Sequence, residues 1–323
     1  MMSVRRFVPS RKLVMRLFLS AVAVLLTGLV VFVGVPLFRL WLQARPIDHT
    51  MPHGDECLAE PQGENLRCWD LHVPDQVRDR PALVVDIHGF LNRPSTQRGF
   101  SDFQALADEE GFLVAWPYGI RWSWNGGGDP WPSDTELDER PGIGCCGHAL
   151  NQGINDVAFI RSLIESIVAS YDVDPSRIYI SGFSTGCMLA QRMAAEASDV
   201  ITGVACMSGF RLVEASSDYE PVPVAVFNGT DDTIAPYERD YWPGAVANFD
   251  TWRDINGCVD EPAEVWRDGD HVMWQADDCT AGSRIALITL DGVGHVTYRG
   301  HGGLDVDTTR MAWQFLEGLP PSP

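Results

Sequence analysis

Short apolar runs alternate with amphipathic segments over most of the chain. Residues 82–87 form a nearly continuous apolar run, which is typical of a strand buried within a parallel sheet. Apolar residues from 157 to 171 recur at helical spacing, and Asn155 or Asp156 is placed to cap that helix. The same patterns predict strands at 112–116, 177–181, 204–207, 222–227 and 285–290, a hairpin at 264–274, and helices at 103–110, 188–195, 244–256 and 307–316.

This alternation predicts an α/β protein with a mostly parallel central sheet and helices on both faces. Residues 119–152 interrupt it, because they are rich in Gly, Pro, Trp and Cys and show no clear period. We interpret this segment as one long functional loop. Trp122, Trp124 and Trp131 lie within it. They are candidates for gripping an aromatic or polymeric ligand, with packing of the loop as the alternative.

The N-terminal part differs from the rest in charge. Residues 1–45 hold seven of the 24 basic residues and none of the 44 acidic ones. The uncharged run 17–38 has 22 residues, enough to cross a hydrocarbon core of roughly 30 Å. We predict a basic cytoplasmic tail at 1–16, a transmembrane signal anchor at 17–38, a stalk at 39–56 and an extracytoplasmic domain at 57–323. A cleaved signal peptide, which would leave a secreted protein, is the alternative.

The charge of the remaining chain limits the classes of partner that it can bind. Beyond residue 45 the chain holds 17 basic against 44 acidic residues, a balance that disfavours nucleic acid as a partner. The same acidic excess repels anionic lipid headgroups, so we expect contact with the membrane only through the N-terminal helix.

All eight cysteines follow the apolar segment, as expected for disulfides formed in an oxidising compartment. Cys57–Cys68 and Cys258–Cys279 are plausible local pairs. The spacing shows no zinc motif, so no metal site is expected. The pairing of four cysteines stays open: Cys145, Cys146, Cys187 and Cys206.

The most informative motif is a G-x-S-x-G pentapeptide, residues 182–186, between a predicted strand and a predicted helix. That context is typical of a nucleophile elbow, a strained turn that holds a serine hydroxyl clear of the sheet. Ser184 is the candidate nucleophile. The backbone N–H of Thr185 is a candidate oxyanion donor at the helix N-terminus. The N–H of Phe90, in the loop after the first buried strand, is the second candidate, whereas the neighbouring His88 is expected to be structural.

An acid and a base should follow the nucleophile in the order Ser, acid, His. Asp231 and Asp232 both follow the strand at 222–227, at the edge where α/β sheets bind ligands. His295 follows the last strand in a glycine-containing loop, so it is preferred to His271 and His301. In this arrangement the histidine deprotonates the serine, and the aspartate orients the histidine.

The chain resembles the polyhydroxybutyrate-depolymerase and feruloyl-esterase family of secreted α/β-hydrolases over roughly residues 66–317. The acid block 228–232 resembles a family "HGTAD" whose last residue is the acid, which favours Asp232. In departures from the family, Asn228 replaces a His, Cys187 stands where a Gly is common, and Val-Thr-Tyr follows His295. We hypothesise that Cys187 pairs with Cys145 or Cys146 and fixes the elbow. The other matching blocks are residues 85–89, 105–112, 145–147, 174–179, 256–258 with Cys279, and 294–295.

The resemblance implies an α/β-hydrolase fold and a serine esterase that needs no cofactor; the apolar run 17–38 adds one predicted transmembrane helix before this fold. The implied substrates are feruloyl or acetyl esters of carbohydrates, or short polyhydroxyalkanoate-type esters. Two other functions stay open: a catalytically silent binding protein on a hydrolase scaffold, and a serine peptidase on the same fold.

Overall fold

The computed structural model describes residues 56–59, 66–128, 147–238 and 244–321. The predicted tail, the predicted anchor and nearly all of the predicted stalk lie outside these residues, as do Trp131, Cys145 and Cys146. Within the described ranges, no helix combines the length and the apolar character that a bilayer span needs.

One sheet of ten strands forms the centre of the described part. The strands lie in the order β1-β2-β4-β3-β5-β6-β7-β10-β9-β8. The six central strands, from β4 to β10, are parallel, and antiparallel pairs form both edges. The strands are β1 Glu56–Ala59, β2 Leu66–His72, β3 Leu83–Ile87, β4 Leu113–Pro117, β5 Ile178–Gly182, β6 Gly203–Met207, β7 Val224–Gly229, β8 Ala263–Asp268, β9 His271–Ala276 and β10 Ile285–Leu290.

Helices cover both faces of the sheet. They are α1 Pro94–Ser101, α2 Phe103–Glu110, α3 His148–Asn151, α4 Asp156–Ser170, α5 Thr185–Ala197, α6 Ala245–Ile255 and α7 Thr308–Leu316, with 3₁₀ turns at Ile120–Trp122 and Thr280–Gly282. Successive strand residues point to opposite faces. Leu83 and Val85 of β3 therefore join one core with α4, α5 and α6, while Val84 joins the other with α2 and α7. The predicted α/β architecture, with helices on both faces, is confirmed.

The sequence pattern located most of these elements but missed β1, β2, α1 and α3. Strand β2 carries Arg67, whose side chain is almost completely buried and forms a 2.7 Å ion pair with Asp156. A charged residue in a strand argues against burial unless its partner is known, and this partner lies 89 positions away. The cap of α4 is Asn155, whose side chain accepts a hydrogen bond from the N–H of Ala158 at 3.0 Å.

Three disulfides link the six cysteines that the structure describes. Cys57–Cys68 and Cys258–Cys279 form as predicted. The pairing suggested for Cys187 is wrong, because Cys187 bonds to Cys206 rather than to Cys145 or Cys146. The reason is topological: Cys187 lies in the first turn of α5, and α5 packs on β6, the strand that carries Cys206.

Candidate active site

Ser184 occupies a strained turn between β5 and α5. Its backbone has φ 54° and ψ −116°, a conformation that non-glycine residues rarely adopt. The turn is held from both sides: the N–H of Ser184 donates to the carbonyl of Met207 at 2.8 Å, and its carbonyl accepts from the N–H of Met188 at 3.0 Å. The serine side chain thus stands at the carboxyl edge of the parallel strands, partly exposed.

Two glycines allow this turn to form. A Cβ on Gly182 would lie 2.7 Å from the backbone of Gly186, and a Cβ on Gly186 would lie 2.1 Å from the carbonyl oxygen of Ile87. Both distances are shorter than any van der Waals contact, so the elbow requires glycine at both positions.

The structure brings Ser184, His295 and Asp232 into one hydrogen-bonded chain. The Nε2 atom of His295 lies 3.0 Å from the Oγ of Ser184, and its Nδ1 atom lies 2.7 Å from Oδ2 of Asp232. The other carboxylate oxygen of Asp232 accepts from the N–H groups of Ile234 and Ala235, both at 2.8 Å. These two bonds fix the carboxylate, whose side chain is fully buried, while the imidazole keeps 16% of its surface exposed.

The alternatives to these residues lie elsewhere. Asp231 is exposed to solvent. His271 accepts a hydrogen bond from the N–H of Asp291 at 3.0 Å, and His301 packs edge-on against Phe100 with ring centroids 4.9 Å apart. Of the two aspartates that the sequence left open, the one that contacts His295 is Asp232.

The sequence predicts two backbone N–H groups as oxyanion donors. Those of Phe90 and Thr185 have no backbone acceptor among the described residues. The hydroxyl of Thr185 is also buried and has no partner within that part of the chain. The loop that carries Phe90 approaches the elbow closely, since a Cβ on Gly89 would lie 2.9 Å from the ring of Phe183.

His88 is a structural residue of this loop. Its Nδ1–H donates to the carbonyl of Gly89 at 2.8 Å, and its Nε2 accepts from the N–H of Gly119 at 3.1 Å. Burial lowers the pKa of His88 from 6.5 to about 4, because a buried imidazolium loses its hydration. The neutral ring therefore ties β3 to the loop after β4.

The tryptophans of the long loop differ in role. Trp124 has no exposed surface, and its indole N–H donates to the carbonyl of His88 at 2.9 Å. The prediction that Trp124 lines a substrate pocket is therefore wrong, because its side chain packs the loop against the core. Trp122 keeps part of its surface exposed, and the guanidinium of Arg93 lies 5.0 Å from its ring centroid. Trp131 lies outside the described residues.

The sequence did not predict several residues that support the loop carrying His295. Thr297 is fully buried; its hydroxyl lies 3.2 Å from that of Ser208, and its carbonyl accepts from the hydroxyl of Thr308 at 2.9 Å. Nothing local marks these residues, because each partner comes from a different element. Among the described residues, no group of three or more His, Cys, Asp or Glu side chains is arranged to hold a metal ion.

The chain is similar to known proteins in both sequence and fold. Residues 69–238 match the model of a family described as "Esterase PHB depolymerase". Feruloyl esterase B of Piromyces equi is 28% identical over 251 residues, which are 73% of this chain and 41% of that protein. Poly(3-hydroxyalkanoate) depolymerase C of Paucimonas lemoignei is 26% identical over 140 residues, or 43% of this chain and 30% of that protein. In each case the chain spans less than half of the relative's length.

Among solved structures, the acetyl xylan esterase from Aspergillus awamori superposes with a TM-score of 0.54 at 16% identity. The match covers 72% of this chain and 90% of that one. At this identity the likeness establishes the α/β-hydrolase type of fold.

Proposed function

Because the chain belongs to the esterase PHB depolymerase family, we propose that it is a carboxylic ester hydrolase that works through Ser184, His295 and Asp232. The observation that carries this proposal is the hydrogen-bonded chain from Ser184 Oγ through the imidazole to the buried carboxylate, with distances of 3.0 and 2.7 Å. Serine hydroxyls are weak nucleophiles, and a histidine held in this way is the base they require.

The proposed reaction proceeds through an acyl-enzyme. Ser184 Oγ attacks the ester carbonyl carbon while its proton passes to Nε2 of His295. The negative charge that develops on the carbonyl oxygen is met by the N–H groups of Phe90 and Thr185. When the tetrahedral intermediate collapses, His295 returns the proton to the departing alcohol. A water molecule, deprotonated by the same histidine, then releases the acid and restores Ser184.

Asp232 has two roles in this scheme. Its carboxylate accepts the Nδ1–H of His295 and so selects the tautomer whose Nε2 is free to take the serine proton. It also stabilises the imidazolium formed in each half-reaction. The N–H groups of Ile234 and Ala235 hold the carboxylate in this orientation without consuming the oxygen that faces His295.

For the substrate, we propose feruloyl or acetyl esters of carbohydrates, or short hydroxyalkanoate esters. Support comes from relatives that are named a feruloyl esterase, an acetylxylan esterase and a poly(3-hydroxyalkanoate) depolymerase. Trp122 is partly exposed, and its carbonyl accepts a hydrogen bond from the N–H of Leu91 at 2.8 Å; it is the residue we assign to the acyl or sugar group.

We place the esterase domain outside the cytoplasm. Three disulfides support this, because such bonds persist in oxidising compartments. Anchoring through residues 17–38 remains a prediction from the sequence.

Labelling with a fluorophosphonate probe tests the nucleophile. The probe reacts with activated serines, so tryptic mass spectrometry of the wild-type chain should find it on Ser184. The Ser184→Ala variant should take up no label, and Ser170→Ala, a change of an exposed serine in α4, should keep it. Label on another serine, or equal labelling of Ser184→Ala, would contradict the assignment.

A further inference from the structure

A buried carboxylate outside the proposed triad, Asp86, lies near the carboxyl end of β3. Its side chain has no exposed surface, and both oxygens accept hydrogen bonds. Oδ1 accepts from Gln97 Nε2 at 2.7 Å, and Oδ2 accepts from Ser101 Oγ at 2.6 Å and Trp116 Nε1 at 3.0 Å. None of these donors is a cation, so burying the charge is costly. Burial accordingly raises the pKa of Asp86 to about 6, which leaves the carboxylate ionised above neutral pH.

Gln97 connects this carboxylate to the loop that carries His295. The same Nε2 atom that donates to Asp86 donates its second hydrogen to the hydroxyl oxygen of Tyr298 at 2.9 Å. Gln97 and Tyr298 are both completely buried. Tyr298 follows His295 by three positions, so the network joins β3 to the loop that carries His295.

The ring of Tyr298 extends this connection to the reacting groups. It packs against Phe183, the residue before Ser184, with ring centroids 5.9 Å apart. Phe183 in turn packs against the imidazole of His295 at 5.0 Å. Movement of Tyr298 would therefore change the surface on which the imidazole rests, next to the nucleophile.

We propose that Asp86 is a positioning residue for the esterase reaction: through Gln97 it fixes Tyr298, and Tyr298 fixes the orientation of His295 relative to Ser184. This inference rests on the proposed function. Asp86 and Tyr298 touch no reacting atom, so their loss should lower kcat and leave KM nearly unchanged. Because they act through one connection, their effects should not add.

A double-mutant cycle on the 323-residue chain tests this role, with p-nitrophenyl butyrate as substrate. Tyr298→Phe should lower kcat about tenfold, with KM within about twofold. Asp86→Asn should lower kcat at least as much. The NH2 group of the asparagine would replace one carboxylate oxygen and would then face a hydrogen-bond donor of Gln97, Ser101 or Trp116. The double variant should lose no more than Asp86→Asn alone.

The matched control is Tyr179→Phe. Tyr179 is also a buried tyrosine on this face of the sheet, and its hydroxyl donates to Glu317 at 2.9 Å. Its loss should lower the melting temperature but leave kcat at the wild-type value. A purely structural role for Tyr298 would make the two tyrosine variants behave alike.

Three results would overturn the inference: wild-type kcat in Tyr298→Phe, equal loss of kcat in Tyr179→Phe, or additive effects in the double variant. If Asp86→Asn does not fold, Gln97→Met takes its place in the cycle with the same expectations. Absence of turnover in the wild-type chain would instead remove the proposed function, and the positioning role with it. The two failures are therefore distinguishable.

Discussion

Gly186 lies directly against Ile87, so closely that a Cβ on the glycine would stand 2.1 Å from the carbonyl oxygen of the isoleucine. The same carbonyl accepts a hydrogen bond from the N–H of Phe183 at 3.0 Å. The end of β3 therefore contacts the elbow on both sides of Ser184. This contact sets how near the loop that carries Phe90, which begins one residue after Ile87, can come to Ser184.

Replacing this glycine should separate the two segments. Gly186→Ala should lower the free energy of unfolding by about 1–3 kcal/mol, as overpacked cores do, and should reduce ester turnover. Gly99→Ala is the control, because a Cβ there meets no atom within 4 Å and the residue lies in α1. That variant should be about 0.5–1 kcal/mol more stable. Urea denaturation measures both, and equal stability of the two variants would refute the close contact.

The two aspartates of the acid loop should differ sharply. Asp232→Asn removes the acceptor for His295 Nδ1–H and favours the wrong tautomer, so kcat should fall by about 10³–10⁴. Asp231→Asn changes an exposed carboxylate beside it and should alter kcat by less than about twofold. Steady-state kinetics of both variants decide the matter. The reverse ranking would assign the acid to Asp231.

The Cys187–Cys206 disulfide should support activity as well as stability. Replacing both cysteines by alanine should cost about 2–4 kcal/mol of unfolding free energy and lower kcat, because Cys187 lies in the first turn after Ser184. The matched control removes Cys258 and Cys279, whose sequence separation of 21 is close to the 19 of the first pair. Its stability loss should be similar, with kcat unchanged. Equal kcat losses in the two double variants would contradict a specific effect on the elbow.

Asp86 and His88 should make opposite contributions to the pH dependence of the free energy of unfolding. The pKa of Asp86 rises from 3.8 to about 6 on folding, mainly through burial, so between these pH values the folded state binds more protons than the unfolded state. The contribution of Asp86 to the free energy of unfolding therefore falls as the pH rises from about 4 to about 6. The pKa of His88 falls from 6.5 to about 4 for the same reason, so its contribution to the free energy of unfolding rises as the pH rises over that range. In the wild-type chain the two effects oppose each other.

His88→Asn should expose this balance. The wild type should exceed the variant in unfolding free energy by an amount that grows by about 3 kcal/mol between pH 4 and 7, since each pKa unit corresponds to about 1.4 kcal/mol. Urea denaturation of both chains at several pH values measures the difference. A difference independent of pH would mean that His88 is not held neutral in the folded state.

What the sequence could predict depended on how local each feature is. The elbow was readable because β5, the two glycines and α5 are contiguous. His295 could be located from its place after the last strand, although 111 positions separate it from Ser184. The choice between Asp231 and Asp232 required the family resemblance, since both residues occupy the same turn.

Features that depend on distant partners were not readable. Cys206 was identified as a cysteine but not as the partner of Cys187, because the packing of α5 on β6 brings the two together. The buried network of Asp86, Gln97 and Tyr298 spans 212 positions and has no periodic signature. The packing of Trp124 likewise follows from the position of His88 in the folded chain.

Ester hydrolysis by the purified 323-residue chain, beside its Ser184→Ala variant, tests most directly whether the protein is a serine esterase. The substrates are p-nitrophenyl acetate and butyrate, methyl ferulate and a hydroxybutyrate oligomer. We predict turnover of at least one ester by the wild type, and a loss of about 10³-fold or more in a variant that keeps the wild-type melting temperature. Similar turnover by the two chains, or none by a folded wild type, would contradict it.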